Sequence, residues 1–354
     1  MADEAKTGPT HDAVVRVPAE HATAAGRPPR IEEVARRAGV APVTVSRVLR
    51  HPDKVKAKTL ERVRAVIAET GYASNPHARA LRSGRSNLVV AFVSNMLSQQ
   101  FGLAVRGFAS VLEPEGYEVM VGQTSYSYAK ESAMIQSLLG LRPAAVMFTG
   151  VIELEQNREA LRGLGIPVVE TWAYPPDPID MLVGISNYDA GALAARRLAA
   201  AGHRHLAFIG RAGGRGALRL TGFRAAAAEL GLDVVHVVTV PEVTGLSDGR
   251  DAFAALMERE PAVTAVFGAN DLLATGALIE ARARGIVVPG RLAIVGFGDN
   301  DTADQMSPGL TTVTFDARAL GVNAGAMLLD RWSDEPSVRR QRVLELAFVE
   351  RGSV

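Results

Sequence analysis

The stretch IEEVARRAGVAPVTVSRVLR, residues 31–50, decides how the rest of the chain is read. Apolar residues recur at three- and four-residue intervals up to Ala38, as on a helix with one buried face. Gly39 and Val40 make a turn. Pro42 suits the start of a second helix, where the N–H it lacks would be unpaired anyway. Val34, Ala35, Ala38, Val40, Val45 and Val48 then pack the two helices on each other and on a third over KTLERVRAVIAETG (58–71). That arrangement leaves Pro42, Val43, Thr44, Ser46 and Arg47 facing outward. Short polar groups and one arginine on an exposed helix suit the major groove of DNA. A plain three-helix packing unit is the alternative reading of the same pattern.

Charge separates this region from the remainder. Between Arg27 and Asn87 there are 14 Lys or Arg against 5 Asp or Glu, whereas the rest of the chain has 25 against 33, so a net charge of +1 conceals a basic end and an acidic body. A basic stretch is either a solvated surface or a polyanion site.

After residue 87 the texture changes to strand-like apolar runs alternating with helical ones, the pattern of parallel α/β sheets. LVVAFV (88–93), YEVMVGQ (117–123), AAVMFTG (144–150) and PVVETW (167–172) form a first series; HLAFIG (205–210), VVHVVTV (234–240), AVFGAN (265–270) and LAIVGFG (292–298) form a second. Two similar halves imply two lobes with a cleft between them. Ligands of such sheets sit beyond the carboxyl ends of the strands, so the residues that follow these runs are the candidate site.

Several classes are disfavoured. The 354 residues contain no cysteine, which removes disulfides, thiolate metal sites and cysteine nucleophiles and fits a reducing, cytoplasmic setting. Residues 1–27 read as a disordered tail with no apolar signal segment, and no apolar run is long enough to span a bilayer. His203 and His205 lack a third nearby ligand and read as structural. The glycine-rich GRAGGRG (210–216) has neither a phosphate-loop lysine nor the G-x-G-x-x-G frame. No catalytic constellation emerges, so no enzyme, cofactor or metal is expected.

The segment from Ile31 to Val93, with its VARRAGVAPVTVSRVL and GYASNPHARALRSGRSN, resembles the N-terminal signature of the lac/gal repressor family of bacterial transcription regulators. The two α/β lobes match that family's periplasmic-binding-protein-like core, so the resemblance covers nearly the whole chain after the tail. It implies a helix-turn-helix domain over 28–74, a hinge helix and linker over 75–87, and a two-lobed effector-binding and dimerisation domain over 88–354. By this resemblance Thr44, Ser46 and Arg47 are phosphate and base contacts, and Pro42 and Val43 stand where the family chooses its operator. Being apolar, those two touch thymine methyl groups but make no bidentate hydrogen bonds, which leaves polar base reading to Arg47, on a guanine. Asn75 and Ala78 are placed along the minor groove, with Leu81 as the wedge between base pairs; an interdomain contact is the alternative for Leu81.

Within the family, SYSYAKE (125–131), IPVVETW (166–172), AAGHRHLAFIG (200–210) and the terminal VERGSV resemble the gluconate-operon repressor branch. Matching cleft positions are Gln100, Phe101, Tyr126, Thr149, Glu170, Arg219, Asn270, Asp271 and Asp299. Arg219 suits a carboxylate, and Glu170, Asn270 and Asp299 suit hydroxyls, a combination that a polyhydroxy acid satisfies. Asn270 and Asp271 also suit a helix cap, and Tyr126 and Tyr128 a surface turn. In GFGDN (296–300), Gly298 replaces an aspartate common among sugar-binding members; this either removes an anion from the cleft or serves only the turn.

The expectation is a homodimeric repressor on double-stranded operator DNA, released by gluconate or a related sugar acid. Nothing after residue 344 offers the heptads of a tetramerising tail. A transporter-type solute-binding protein, or a regulator of the same family responding to a neutral sugar or nucleobase, is the alternative.

Overall fold

The computed structural model describes residues 29–50, 52–72, 86–96, 98–175, 177–232, 235–241, 243–333 and 340–354. The tail expected over 1–27 and most of the hinge expected over 75–87 lie outside the described residues. The chain divides into two compact units, at Asn75 and Pro76.

The first unit is helical. Helices α1 (Ile31–Ala38), α2 (Pro42–Arg50) and α3 (Ala57–Thr70) surround a core of Val34, Ala35, Ala38, Val45, Val48 and Val63. The first turn of α1 carries Glu32 and Glu33 and its last turn Arg36 and Arg37, each charge sign at the end of the helix dipole that favours it. Gly39 then closes the helix in a left-handed conformation, its N–H bonded to Ala35 O and Arg36 O. Arg37 joins Glu33 at 2.8 Å within α1 and Glu69 of α3 at 3.4 Å.

The second unit holds two six-stranded sheets. The first has the order β11-β5-β4-β3-β1-β2, from β1 (Leu88–Val93), β2 (Glu118–Gln123), β3 (Ala145–Phe148), β4 (Val168–Thr171), β5 (Met181–Gly184) and β11 (Gln341–Val343). The second has β12-β10-β9-β8-β6-β7, from β6 (Leu206–Gly210), β7 (Val235–Thr239), β8 (Ala265–Gly268), β9 (Ala293–Phe297), β10 (Thr311–Thr314) and β12 (Ala347–Val349). Their five leading strands share one order, so the lobes are structural repeats of a doubly wound unit. The apolar residues of β1 cover both faces, Val89, Ala91 and Val93 on one and Leu88, Val90 and Phe92 on the other. Burial on both faces is the condition under which parallel sheets form.

The helices that place the site are α4 (Gln99–Leu112), α5 (Tyr128–Leu141), α6 (Glu155–Leu164), α7 (Asn187–Ala200), α8 (Gly214–Glu229), α9 (Leu246–Arg259), α10 (Asp271–Ala283), α11 (Thr302–Gln305) and α12 (Ala317–Arg331). The lobes are not successive halves of the sequence. Helix α12 follows the second sheet yet packs on α4 of the first lobe, and β11 returns to the first sheet before β12 enters the second. All pairs are parallel except β10 with β12. The exception follows from geometry: both sheets point their carboxyl ends at the cleft, so a strand leaving one lobe in parallel enters the other reversed.

Glycines set the helix spacing. A Cβ on Gly191 of α7 would overlap the carbonyl of Arg219 on α8, and one on Gly222 of α8 would overlap the carbonyl of Tyr188 on α7. The two backbones therefore touch, and this fixes the height of Arg219 above the sheet.

Candidate functional site

Helix α2 buries Val45 and Val48 and turns Pro42, Val43 and Arg47 to solvent, with Thr44 and Ser46 half-buried beside them. Val43 is 61% exposed, a value no core packing role explains. Lys54, Lys56, Lys58, Arg62 and Arg64 are exposed on the same unit, so the charge excess read from sequence is a surface property. Asn75, Ala78 and Leu81 lie outside the described residues.

The cleft between the lobes is lined from both sides by the ends of strands. Ser94 follows β1, Thr124 follows β2 and Thr149 follows β3; opposite them, Arg211 follows β6, Ala269 and Asn270 follow β8, and Gly298 follows β9. Two chambers result. The larger, of about 280 Å³, lies among Thr149, Glu153, Tyr128, Glu131 and Arg211. The smaller, of about 70 Å³, lies among Gln100, Phe101, Trp172, Phe297, Gly298 and Asn300. Tyr126, Arg215, Arg219 and Asn270 border both.

Arg215 and Arg219 stand one helical turn apart on the face of α8 that meets the cleft. Arg215 reaches across to the first lobe, donating from Nη1 to Thr149 O at 2.5 Å and from Nη2 to Ser94 Oγ at 3.2 Å. Arg219 donates to Ala269 O at 2.5 Å, with its guanidinium 3.5 Å above the centre of the Phe297 ring. Among the described residues neither arginine has a carboxylate within ion-pair distance. Burial, then the charge of Arg215, lowers the Arg219 guanidinium to about 9, and burial lowers Arg215 as well. Asp271 acts on Arg219 and Glu153 on Arg215 only from beyond contact distance, and a buried cation such as Arg219 with no counter-ion in contact is costly in a protein interior. Arg219 Nε, Gln100 Oε1 and Asn300 Oδ1, all on residues of the small chamber, are buried without a hydrogen-bond partner.

The remaining polar groups hold the walls. Asn270 caps α10 by accepting from Leu273 N at 2.9 Å while it borders both chambers, so its two readings coexist. Asp271 faces inward, accepting from Thr312 Oγ1 and Asn300 N, each at 2.7 Å. Gly298 has φ 131°, where an L side chain is strained, so the turn by itself calls for glycine.

Burial pushes the Asp271 carboxyl up to about 6, against the opposing hydrogen bonds of Thr312 and Asn300. An unfolded aspartate titrates near about 3.9, so as pH falls from 7 to 4 the folded site takes its proton first. The gain, about 3 kcal/mol, is complete below the unfolded value and lost as pH rises past the folded one. Urea denaturation at pH 7.5 and 4.5 should show about 2 kcal/mol of this gain in the natural chain relative to Asp271→Asn, since pH 4.5 still lies above the unfolded value.

Comparison with known proteins agrees with this geometry. Residues 30–75 match the model of bacterial regulatory proteins of the lacI family, and residues 195–354 match the periplasmic binding protein-like domain. The HTH-type transcriptional regulator GntR of Pseudomonas aeruginosa is 36% identical over 303 residues, 85% of this chain and 88% of its own. The chain belongs to the lacI family. A lacI-family transcriptional regulator from Silicibacter pomeroyi has a similar structure, with a TM-score of 0.83 at 30% identity over 92% of this chain and 99% of that one. The lac repressor dimer bound to operator and the anti-inducer ONPF aligns with a TM-score of 0.75 at 25% identity over 92% and 99% of the two chains. This lacI-family protein is thus a DNA-binding transcription regulator and not an enzyme, with a helix-turn-helix unit ahead of an α/β core. Among the described residues no helix is long and apolar enough to cross a membrane, and no cluster of metal-ligating side chains occurs.

Of the cleft positions carried over by family resemblance, this regulator brings together Gln100, Phe101, Tyr126, Thr149, Arg219 and Asn270. It does not bring in the side chains of Glu170 and Asp299. Glu170 is fully buried behind the wall, accepting from Ile152 N at 2.8 Å and Ile179 N at 2.7 Å, with Arg158 at 3.8 Å. Asp299 turns to Arg351 at 2.7 Å. Sequence reasoning missed Arg215, Arg211, Trp172, Asn300, Glu131 and Glu153. The signal for the first was present: Arg215 precedes Arg219 by four residues on a helix that follows a strand.

Proposed function

We propose that this lacI-family regulator is a dimeric repressor of sugar-acid utilisation genes, and that gluconate or a close relative enters the cleft and releases it from operator DNA. The observation that carries this reading is the cation pair in the cleft, Arg219 buried and Arg215 half-buried, neither with a carboxylate in ion-pair contact among the described residues. A ligand carboxylate supplies the missing counter-charge, in fork-to-fork geometry that a neutral sugar lacks. Hydroxyls of the same molecule suit Gln100, Asn270 and Asn300, and its C–H faces suit Phe101, Trp172 and Phe297. The resemblance to the gluconate-operon branch favours the same ligand class. Because Arg215 binds the first lobe from the second, an anion that draws on it changes the contact between lobes. Isothermal titration with D-gluconate and D-glucose is the test: heat is expected with the acid alone, and binding of glucose without gluconate contradicts it.

On the DNA side, α2 enters the major groove with Arg47 reading a guanine, Thr44 and Ser46 on the backbone and Pro42 and Val43 against thymine methyl groups. Each subunit of the dimer reads one half of a near-palindrome. Arg47→Ala is expected to weaken operator binding by about 1–3 kcal/mol with little change on random duplex. Gel-shift titrations on both DNAs measure this; equal losses on the two would assign Arg47 to phosphate.

A further inference from the structure

The larger chamber has cations on its second-lobe wall and acidic groups on its first-lobe wall. Arg219 is 6% exposed, with Nε unpartnered; Arg215 and Arg211 are half-buried; facing them, Glu131 is half-buried and Tyr128 and Glu153 are exposed at the rim, Glu153 near enough to act on Arg215 and Arg211 near enough to act on Tyr128. The acidic groups are held in place. Tyr128 donates its phenol hydrogen to Glu153 Oε2, and Glu131 Oε1 accepts from Asn157 Nδ2 at 2.8 Å. Asn157 in turn accepts from Ser132 Oγ at 2.9 Å, which fixes its amide and so orients Glu131.

We propose that Tyr128, Glu131 and Glu153 form a distal subsite that accepts hydrogen bonds from hydroxyls at the far end of the ligand and repels a second negative charge there. This rests on the reading of Arg215 and Arg219 as the site for the ligand's carboxylate. Ionised carboxylates only accept hydrogen bonds, so they match hydroxyl donors and oppose a second carboxylate or a phosphate. The phenol keeps its proton, since the bond to Glu153, then burial, raises Tyr128 to about 12. The subsite therefore selects aldonic acids, with one anionic and one hydroxyl end, over aldaric acids and terminally phosphorylated acids.

Isothermal titration of the full chain at pH 7.5 and fixed ionic strength with D-gluconate, D-glucarate and 6-phospho-D-gluconate tests this. Gluconate is expected to bind at least about tenfold more tightly than either dianion, and the double variant Glu131→Gln, Glu153→Gln to reduce that ratio to about threefold or less. Glu153→Gln alone, at an exposed side chain, should reduce the ratio in part and serves if the double variant does not fold. Dianions that match gluconate on the natural chain, or a ratio unchanged in folded variants, would overturn the distal subsite while leaving the carboxylate site standing. Silence with all three acids would remove the carboxylate site and the distal subsite with it.

Discussion

Replacing Arg219 with methionine is expected to strengthen the ligand-free fold and abolish sugar-acid binding. The guanidinium is lowered to about 9 by burial and by Arg215, so holding its charge opposes folding. Methionine still covers Phe297, over which the guanidinium lies at 3.5 Å, and needs no counter-ion. Substitutions of this kind stabilise by about 1–3 kcal/mol, less the loss of the donor to Ala269 O. The ligand loses a desolvated, charge-assisted pair at the same stroke, about 2–5 kcal/mol of affinity. Urea denaturation and calorimetry read the two effects separately. A destabilised variant that still binds gluconate would mean that Arg219 is structural.

Glu170→Ala should do the reverse. Its carboxylate joins Ile152 N and Ile179 N, and Arg158 ties Ile152 O at 3.1 Å and Asp177 O at 2.6 Å into the same knot. The knot holds Thr149–Glu153, the loop between β3 and α6 that forms one wall of the larger chamber. Burial raises the Glu170 carboxyl while the two backbone bonds and Arg158 oppose that rise. Truncation leaves two N–H groups without a partner while Arg158 keeps Asp177 and Glu155, a loss of about 1–3 kcal/mol in unfolding free energy for each orphaned group. Gluconate affinity, measured well below the new melting temperature, should fall far less than in Arg219→Met. Intact stability with lost affinity would place Glu170 on the ligand after all.

The helical unit was legible because its signals are local. Gly39 and Pro42 mark the turn, and the valines and alanines of α1 and α2 show their buried face by spacing alone. The two-lobed core and the use of strand ends were legible from alternating textures. Side-chain direction was not. Glu170 sits in β4 on the face of Val168, away from the cleft, whereas Trp172, just past the end of the strand with φ 65°, leaves that alternation and borders the small chamber. Strand alternation alone would put the two on one face, and the backbone turn that separates them has no compositional signal. Asp299 has φ 59°, a local backbone choice that sends its carboxylate to Arg351. The three-residue strands β11 and β12, and the return of α12 to the first lobe, are set by long-range pairing that no local pattern announces.

The coupling between cleft and DNA is best measured as a closed cycle. Fluorescence anisotropy gives the affinity for an operator selected from random duplexes, with and without saturating D-gluconate, and calorimetry gives gluconate affinity with and without that operator. Both affinities are expected to fall by one common factor, roughly 5- to 150-fold. Operator binding that persists unchanged while gluconate occupies the cleft would contradict a repressor released by a sugar acid.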